Sequence, residues 1–169
     1  GCGNVGYITA LLLKIYFSNS KIIVLGTRQE KLNYFSFVDD TKLISQLDAD
    51  FKVDHAFECV GGQKSESAVE QIIDCINPQG TISLMGVSEE PIAINTRMVL
   101  EKGLKLIGDS RSGYEDFEKA VELLQDETIQ DYLFNIISET IQVTQINDIQ
   151  EAFEHDVTND FKTVIKWNL

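Results

Sequence analysis

The first six residues, Gly1-Cys2-Gly3-Asn4-Val5-Gly6, have the spacing G-x-G-x-x-G and run into apolar residues at helical intervals. A glycine turn opening a helix points backbone N–H groups and the positive end of the helix dipole at an anion, which suits a diphosphate. Each glycine has its own task. Gly1 permits the tight turn, Gly3 lets the backbone come close to the diphosphate, and Gly6 lets the helix lie close to a sheet. A second chemistry-bearing position falls ~20 residues on, where an acidic side chain would bind ribose hydroxyls and repel a 2′-phosphate. Gly26 stands there, followed by Thr27 and Arg28. A hydroxyl and a planar cation with no carboxylate beside them suit a phosphate, so the spacing predicts NADP in preference to NAD.

Other reactive residues are sparse. Cys2, Cys59 and Cys75 are odd in number, widely spaced and form no C-x-x-C, the pattern of a reduced cytoplasmic protein. The two histidines, His55 and His155, are not at metal-ligand spacing from any cysteine, and no metal site is expected in this chain. With 14 Lys and Arg against 27 Asp and Glu, the net charge is −13. That balance repels nucleic-acid phosphates and anionic lipid, so neither nucleic acid nor a membrane is an expected partner. The apolar stretch at 8–17 is too short to span a bilayer, and the first residues lack the basic n-region and cleavage pattern of a signal peptide.

The elements that must hold these residues read as an alternation. A helix is expected over 4–17, stopped by Ser18-Asn19-Ser20, then a buried strand over 21–26 whose continuous apolar run marks a parallel strand covered on both faces. A helix at 29–35 and a weak strand at 37–39 follow. The segment 54–60 (DHAFECV) reads as a strand, and Val69, Ile72, Ile73 and Ile76 as the stripe of a helix ended by the turn 77–80. A strand at 80–87, a helix at 96–102 and a strand at 104–108 come next. After them are expected a helix marked by Phe117, Ala120, Val121 and Leu124, a less regular region, a helix at 146–154 and a strand at 161–167. This rhythm predicts an α/β fold, a doubly wound Rossmann-type parallel sheet. The strand that should lead into Gly1 is not in the sequence, which suggests part of a longer chain.

The blocks GCGNVG, VLGTRQEKL, DHAFECVGG, INPQGTISLMGVSEEP, KGLKLIGDSRSG and INDIQEAFEH…FKTVIKW resemble the coenzyme-binding half of the zinc-dependent medium-chain alcohol dehydrogenases and reductases, over almost the whole chain. Within that family, the stretch 83–113 is most similar to bacterial ribulose-5-phosphate reductases, also called ribitol-5-phosphate dehydrogenases, of teichoic-acid and capsule pathways. The resemblance implies an NADP-dependent oxidoreductase that reduces ribulose 5-phosphate to ribitol 5-phosphate. It implies a dinucleotide-binding domain over 1–169, with the segment 140–169 returning to a catalytic domain outside this chain. That domain would hold the zinc that polarises the carbonyl, so no catalytic or metal-binding residue is expected here, and this chain alone should be inactive.

Residue by residue, the resemblance places Cys59, Val60 and Gly61 beside the cofactor's adenosine and ribose, and Met85, Gly86 and Val87 against the nicotinamide. Leu106, Gly108 and Asp109 fall on the strand whose backbone holds the carboxamide, and Lys162 matches a basic residue that reaches the diphosphate. In dimeric relatives the strand at 104–108 also pairs with its two-fold mate, so a homodimer is expected. Arg111 is a further cation that could meet a substrate phosphate. Three alternatives stay open: an NADP-dependent dehydrogenase of another polyol or alcohol, a non-catalytic nucleotide-binding module, and an S-adenosylmethionine-dependent methyltransferase, which Gly26 fits poorly.

Overall fold

The computed structural model describes residues 1–168, which divide into two compact units, 1–110 and 111 onwards. In the first, α1 (Asn4–Tyr16) begins directly after Gly3 and leads into β1 (Ile23–Gly26) and the short α2 (Gln29–Leu32). β2 (Asp40–Leu43) pairs with β1 in parallel, Ile23 opposite Asp40 and Gly26 opposite Leu43. β2 thus starts three residues later than expected. Phe37, in the expected strand, instead packs its ring 5.0 Å from Tyr7 and 6.1 Å from Phe35, so the apolar core draws it out of an extended path. Asp39 then ties the chain down: its carboxylate accepts the Ile22 N–H at 2.7 Å and pairs with the Lys14 ammonium at 3.0 Å.

The rest of the first unit is a three-stranded parallel sheet, β3 (Val53–Glu58), β4 (Ile76–Leu84) and β5 (Lys105–Gly108), with β4 central. Between β3 and β4 runs α3 (Ser65–Cys75), whose Val69 and Ile73 are buried. Ile76, expected on that helix, instead opens β4. It is fully buried with Val69, Ile73 and Ile82, and partly buried Val53, Leu84, Leu104 and Leu106 pack on the cluster. The carbonyls that end α3 receive the Lys102 ammonium, which donates to Ile73 O, to Asp74 O at 3.2 Å and to Ile76 O at 3.1 Å. A cation at a helix C-terminus is the favourable arrangement. α4 (Thr96–Lys102) is capped by the Asn95 side chain, which accepts the Met98 N–H, and ends at left-handed Gly103.

The second unit holds α5 (Tyr114–Leu123), α6 (Glu127–Phe134), β6 (Ile137–Val143), α7 (Ile146–Thr158) and β7 (Lys162–Trp167), with β6 and β7 parallel. The region expected to be less regular therefore contains a helix and a strand. In β6 the inward positions are Glu139, Ile141 and Val143, so an acid breaks the apolar alternation that would have marked a strand. His155 of α7 receives it, with Nδ1 2.7 Å from Glu139 Oε2. The architecture is α/β with parallel strands, as expected, and the described strands hydrogen-bond as three separate sheets rather than one.

Candidate functional site

The glycine turn is the hub on which the strand ends of the first unit converge. A Cβ at Gly1 would lie 2.5 Å from Cys59 O and 3.0 Å from Val60 N, at the C-terminal end of β3. A Cβ at Gly6 would strike Gly1 O, so this glycine lets the first turn of α1 fold over the chain before it. Gly26, at the end of β1, sits equally close, since a Cβ there would lie 3.0 Å from Cys2 Sγ and 2.9 Å from a Leu32 methyl. Gly3 is different. A Cβ on it would meet nothing within 4 Å, so the space before the N-terminus of the 13-residue helix α1 is open. That is the space a diphosphate needs. Val5 is exposed on the first turn of α1, while Asn4 Oδ1 is buried without a hydrogen-bond partner.

Thr27 and Arg28 are exposed immediately past β1, and Arg28 is the N-cap position just before α2. Their side chains thus sit at the strand end nearest Cys2 of the turn.

On the other side of the turn, the ends of β3 and β4 are locked together. Glu58 is 1% exposed, and its Oε1 accepts the N–H of Val60 at 2.6 Å and of Gly61 at 3.1 Å. Its backbone carbonyl accepts the N–H of Met85 at 2.8 Å and of Gly86 at 2.9 Å. Gly61 has φ 69° and ψ 175°, a conformation essentially confined to glycine. Val87 O accepts the Gly62 N–H at 2.7 Å, and Ser88 Oγ donates to Gly62 O at 3.0 Å. A Cβ at Gly86 would run into Gly61 N and lie 2.6 Å from Glu58 Oε2, so this position has room only for hydrogen. Met85 and Val87 are exposed beside it, at 43% and 84%.

Leu106 and Gly108 lie on β5 opposite Ile82 and Leu84 of β4, with Leu106 packed on the core cluster. Asp109 turns back on the chain, its carboxylate accepting the Ser110 N–H. The structure therefore brings Gly26 and residues 59–60 against the glycine turn, fastens 85–87 to 58–62, and places Leu106 and Gly108 on the strand adjoining β4. Lys162 belongs to the second unit, where its ammonium pairs with Asp156 at 2.8 Å. Arg111 has a left-handed backbone, φ 73°. Sequence reasoning missed Glu58. Its signal was an acid at the end of an apolar strand three residues before a glycine pair.

All three cysteines are free. Burial pushes the Cys59 and Cys75 thiols up, which keeps them protonated and poorly nucleophilic. Among the described residues no group of three or more His, Cys, Asp or Glu side chains could hold a metal ion, and no helix is long and apolar enough to cross a membrane.

Residues 5–126 match the family described as zinc-binding dehydrogenase. Over 169 residues the chain is 51% identical to ribulose-5-phosphate reductase 1 of Staphylococcus aureus, covering 99% of this chain and 50% of that protein. It is 48% identical to the ribulose-5-phosphate reductase of Bacillus spizizenii, covering 100% of this chain and 50% of that protein. A crystal structure of S. aureus TarJ in complex with NADPH superposes with a TM-score of 0.95 at 50% identity, covering 100% of this chain and 54% of that one. The chain thus spans about half the length of the curated relatives it matches.

Proposed function

The chain belongs to the zinc-binding dehydrogenase family, and from that premise we propose that it is the NADP-binding part of a reductase that converts ribulose 5-phosphate, NADPH and a proton to ribitol 5-phosphate and NADP⁺. The product would serve teichoic-acid or capsule precursor synthesis. The observation that carries the cofactor reading is the meeting of an open helix N-terminus at Gly3 with an acid-free strand end at Gly26, beside Thr27 and Arg28. The sugar-phosphate reading is supported by the 48–51% identity to ribulose-5-phosphate reductases.

When bound, NADPH supplies a hydride to the ketose carbonyl carbon. The backbone N–H groups at Gly3, Asn4 and Val5 would hold the diphosphate, with Gly1 and Gly6 giving the turn its shape. Thr27 and Arg28 would take the 2′-phosphate that a carboxylate at position 26 would repel. Cys59, Val60 and Gly61 would flank the adenosine and ribose, and Met85, Gly86 and Val87 the nicotinamide. The backbone of Leu106, Gly108 and Asp109 would hold the carboxamide. No residue of this chain is assigned a catalytic or zinc-ligand role, and no described ligand cluster would fit the family's zinc, which we assign to residues outside these 169.

Residues 1–169 are read as one dinucleotide-binding domain, with 140–169 returning towards the zinc-bearing part. Within the first unit, β5 pairs only with β4, leaving an exposed edge at Lys105 and Ile107 that a two-fold mate would cover in a homodimer. The thiol-only cysteines are in keeping with a cytoplasmic site.

The test is to assay the full-length protein with NADPH and NADH against a panel of ketose phosphates, free ketoses and aldehydes. Fastest turnover is expected with NADPH and ribulose 5-phosphate. Faster turnover of an unphosphorylated substrate would overturn the sugar phosphate and leave the reductase standing.

A further inference from the structure

We propose that Glu58 is a positioning residue that fixes the two nucleotide-lining turns, 59–62 and 85–88, in one register. This rests on the NADPH reading above. The unusual feature is a nearly fully buried carboxylate that serves two turns from one residue. Its side chain accepts the N–H groups of Val60 and Gly61, and its backbone carbonyl accepts those of Met85 and Gly86. Every residue bonded this way belongs to one of the two turns.

Geometry makes the coupling tight. Gly61 is held at φ 69° and ψ 175°, where few residues rest unaided, and the two N–H bonds to Glu58 span its entry. Two bonds, Gly62 N–H to Val87 O and Ser88 Oγ–H to Gly62 O, then fasten the second turn to the first. Gly86 fits against both Glu58 Oε2 and Gly61 N only because it has no side chain. Moving the carboxylate would therefore release Val60 and Gly61 and open the gap to Gly86 at the same time. Oε2 has no partner of its own, so the role lies in Oε1, and an amide can take it over because its oxygen accepts the same two N–H groups.

The experiment compares the full-length wild type with Glu58→Gln and Glu58→Leu. NADPH dissociation constants are read from nucleotide fluorescence, and KM and kcat from ribulose 5-phosphate reduction. Leucine keeps apolar bulk at the buried position while removing the acceptor. We expect Glu58→Leu to raise the NADPH Kd and KM by about tenfold or more with kcat within about twofold, since two N–H groups lose their acceptor. Glu58→Gln should stay within about threefold of the wild type in all three. An unchanged Kd in folded Glu58→Leu would overturn the role, as would a loss in Glu58→Gln equal to that in Glu58→Leu. A fall in kcat at constant KM would overturn it in favour of a part in the chemistry. Should Glu58→Leu fail to fold, Glu58→Gln decides alone: a rise beyond about tenfold overturns the acceptor role, and near-wild-type binding sustains it. A wild type that does not bind NADPH overturns the cofactor reading itself, and this inference with it, a result separable from all the others.

Discussion

The two sheets that meet the glycine turn do so by opposite means. The β1–β2 half presents exposed side chains, Thr27 and Arg28, at the end of a short strand, while the β3–β4–β5 half presents backbone whose path is locked by a buried carboxylate and two glycines without room for a Cβ. A ligand group met by a side chain can be exchanged by one substitution. A ligand met by backbone can be lost only by deforming the fold. The first half is therefore where cofactor choice would reside, and the second where cofactor affinity of either kind would reside.

The largest expected effect probes the support beneath the locked half. Ile82 is fully buried in the core cluster at the centre of the three-stranded sheet, so Ile82→Ala should destabilise the protein by about 2–5 kcal/mol through lost burial and a cavity. Urea unfolding would measure it, and a loss well under that range would mean the cluster is not what carries this sheet.

Next comes the lock itself. Gly61→Ala places a Cβ 2.9 Å from Val87 O in a backbone conformation that costs roughly 1–3 kcal/mol, so NADPH and NADH should both weaken, by up to about 100-fold and in equal measure. Arg28→Ala is the contrasting change. NADPH should weaken about tenfold, the size of one hydrogen bond to a charged group, with NADH nearly unchanged. Titration of both variants with both nucleotides checks the comparison, and equal losses in Arg28→Ala would erase the distinction between the halves.

The smallest effect lies in the second unit, at the Glu139–His155 pair. The hydrogen bond from Glu139, and then its charge, raise the imidazole above 6.5, and the same bond holds the Glu139 carboxyl below 4.5. A raised His contributes stability that is complete below 6.5 and is lost as pH rises through the folded value. A lowered Glu contributes stability that is complete above 4.5 and is lost as pH falls through its folded value. Thermal melting should thus show a shallow optimum between about pH 4.5 and 6.5 that flattens in His155→Gln. Both groups are part-exposed, so added salt should shrink the optimum further.

Much of this chain was legible without coordinates. The spacing of Gly1, Gly3 and Gly6, the apolar run into Gly26 and the alternation of helix and strand state the α/β class and place a glycine turn at the head of a helix, because glycine spacing and apolar periodicity are local signals. What the linear order hid was of two kinds. Phe37 falls in an expected strand and Glu139 in a region expected to be less regular, yet a ring stack with Tyr7 and a bond to His155 decide otherwise. Glu58 falls inside the expected strand 54–60 with no role assigned to it. Only the parallel register of β3 and β4 brings its carboxylate, the Gly61 bend and Gly86 into one contact. A burial pattern is a property of neighbours along the chain, whereas an acceptor shared between two turns is a property of neighbours in space.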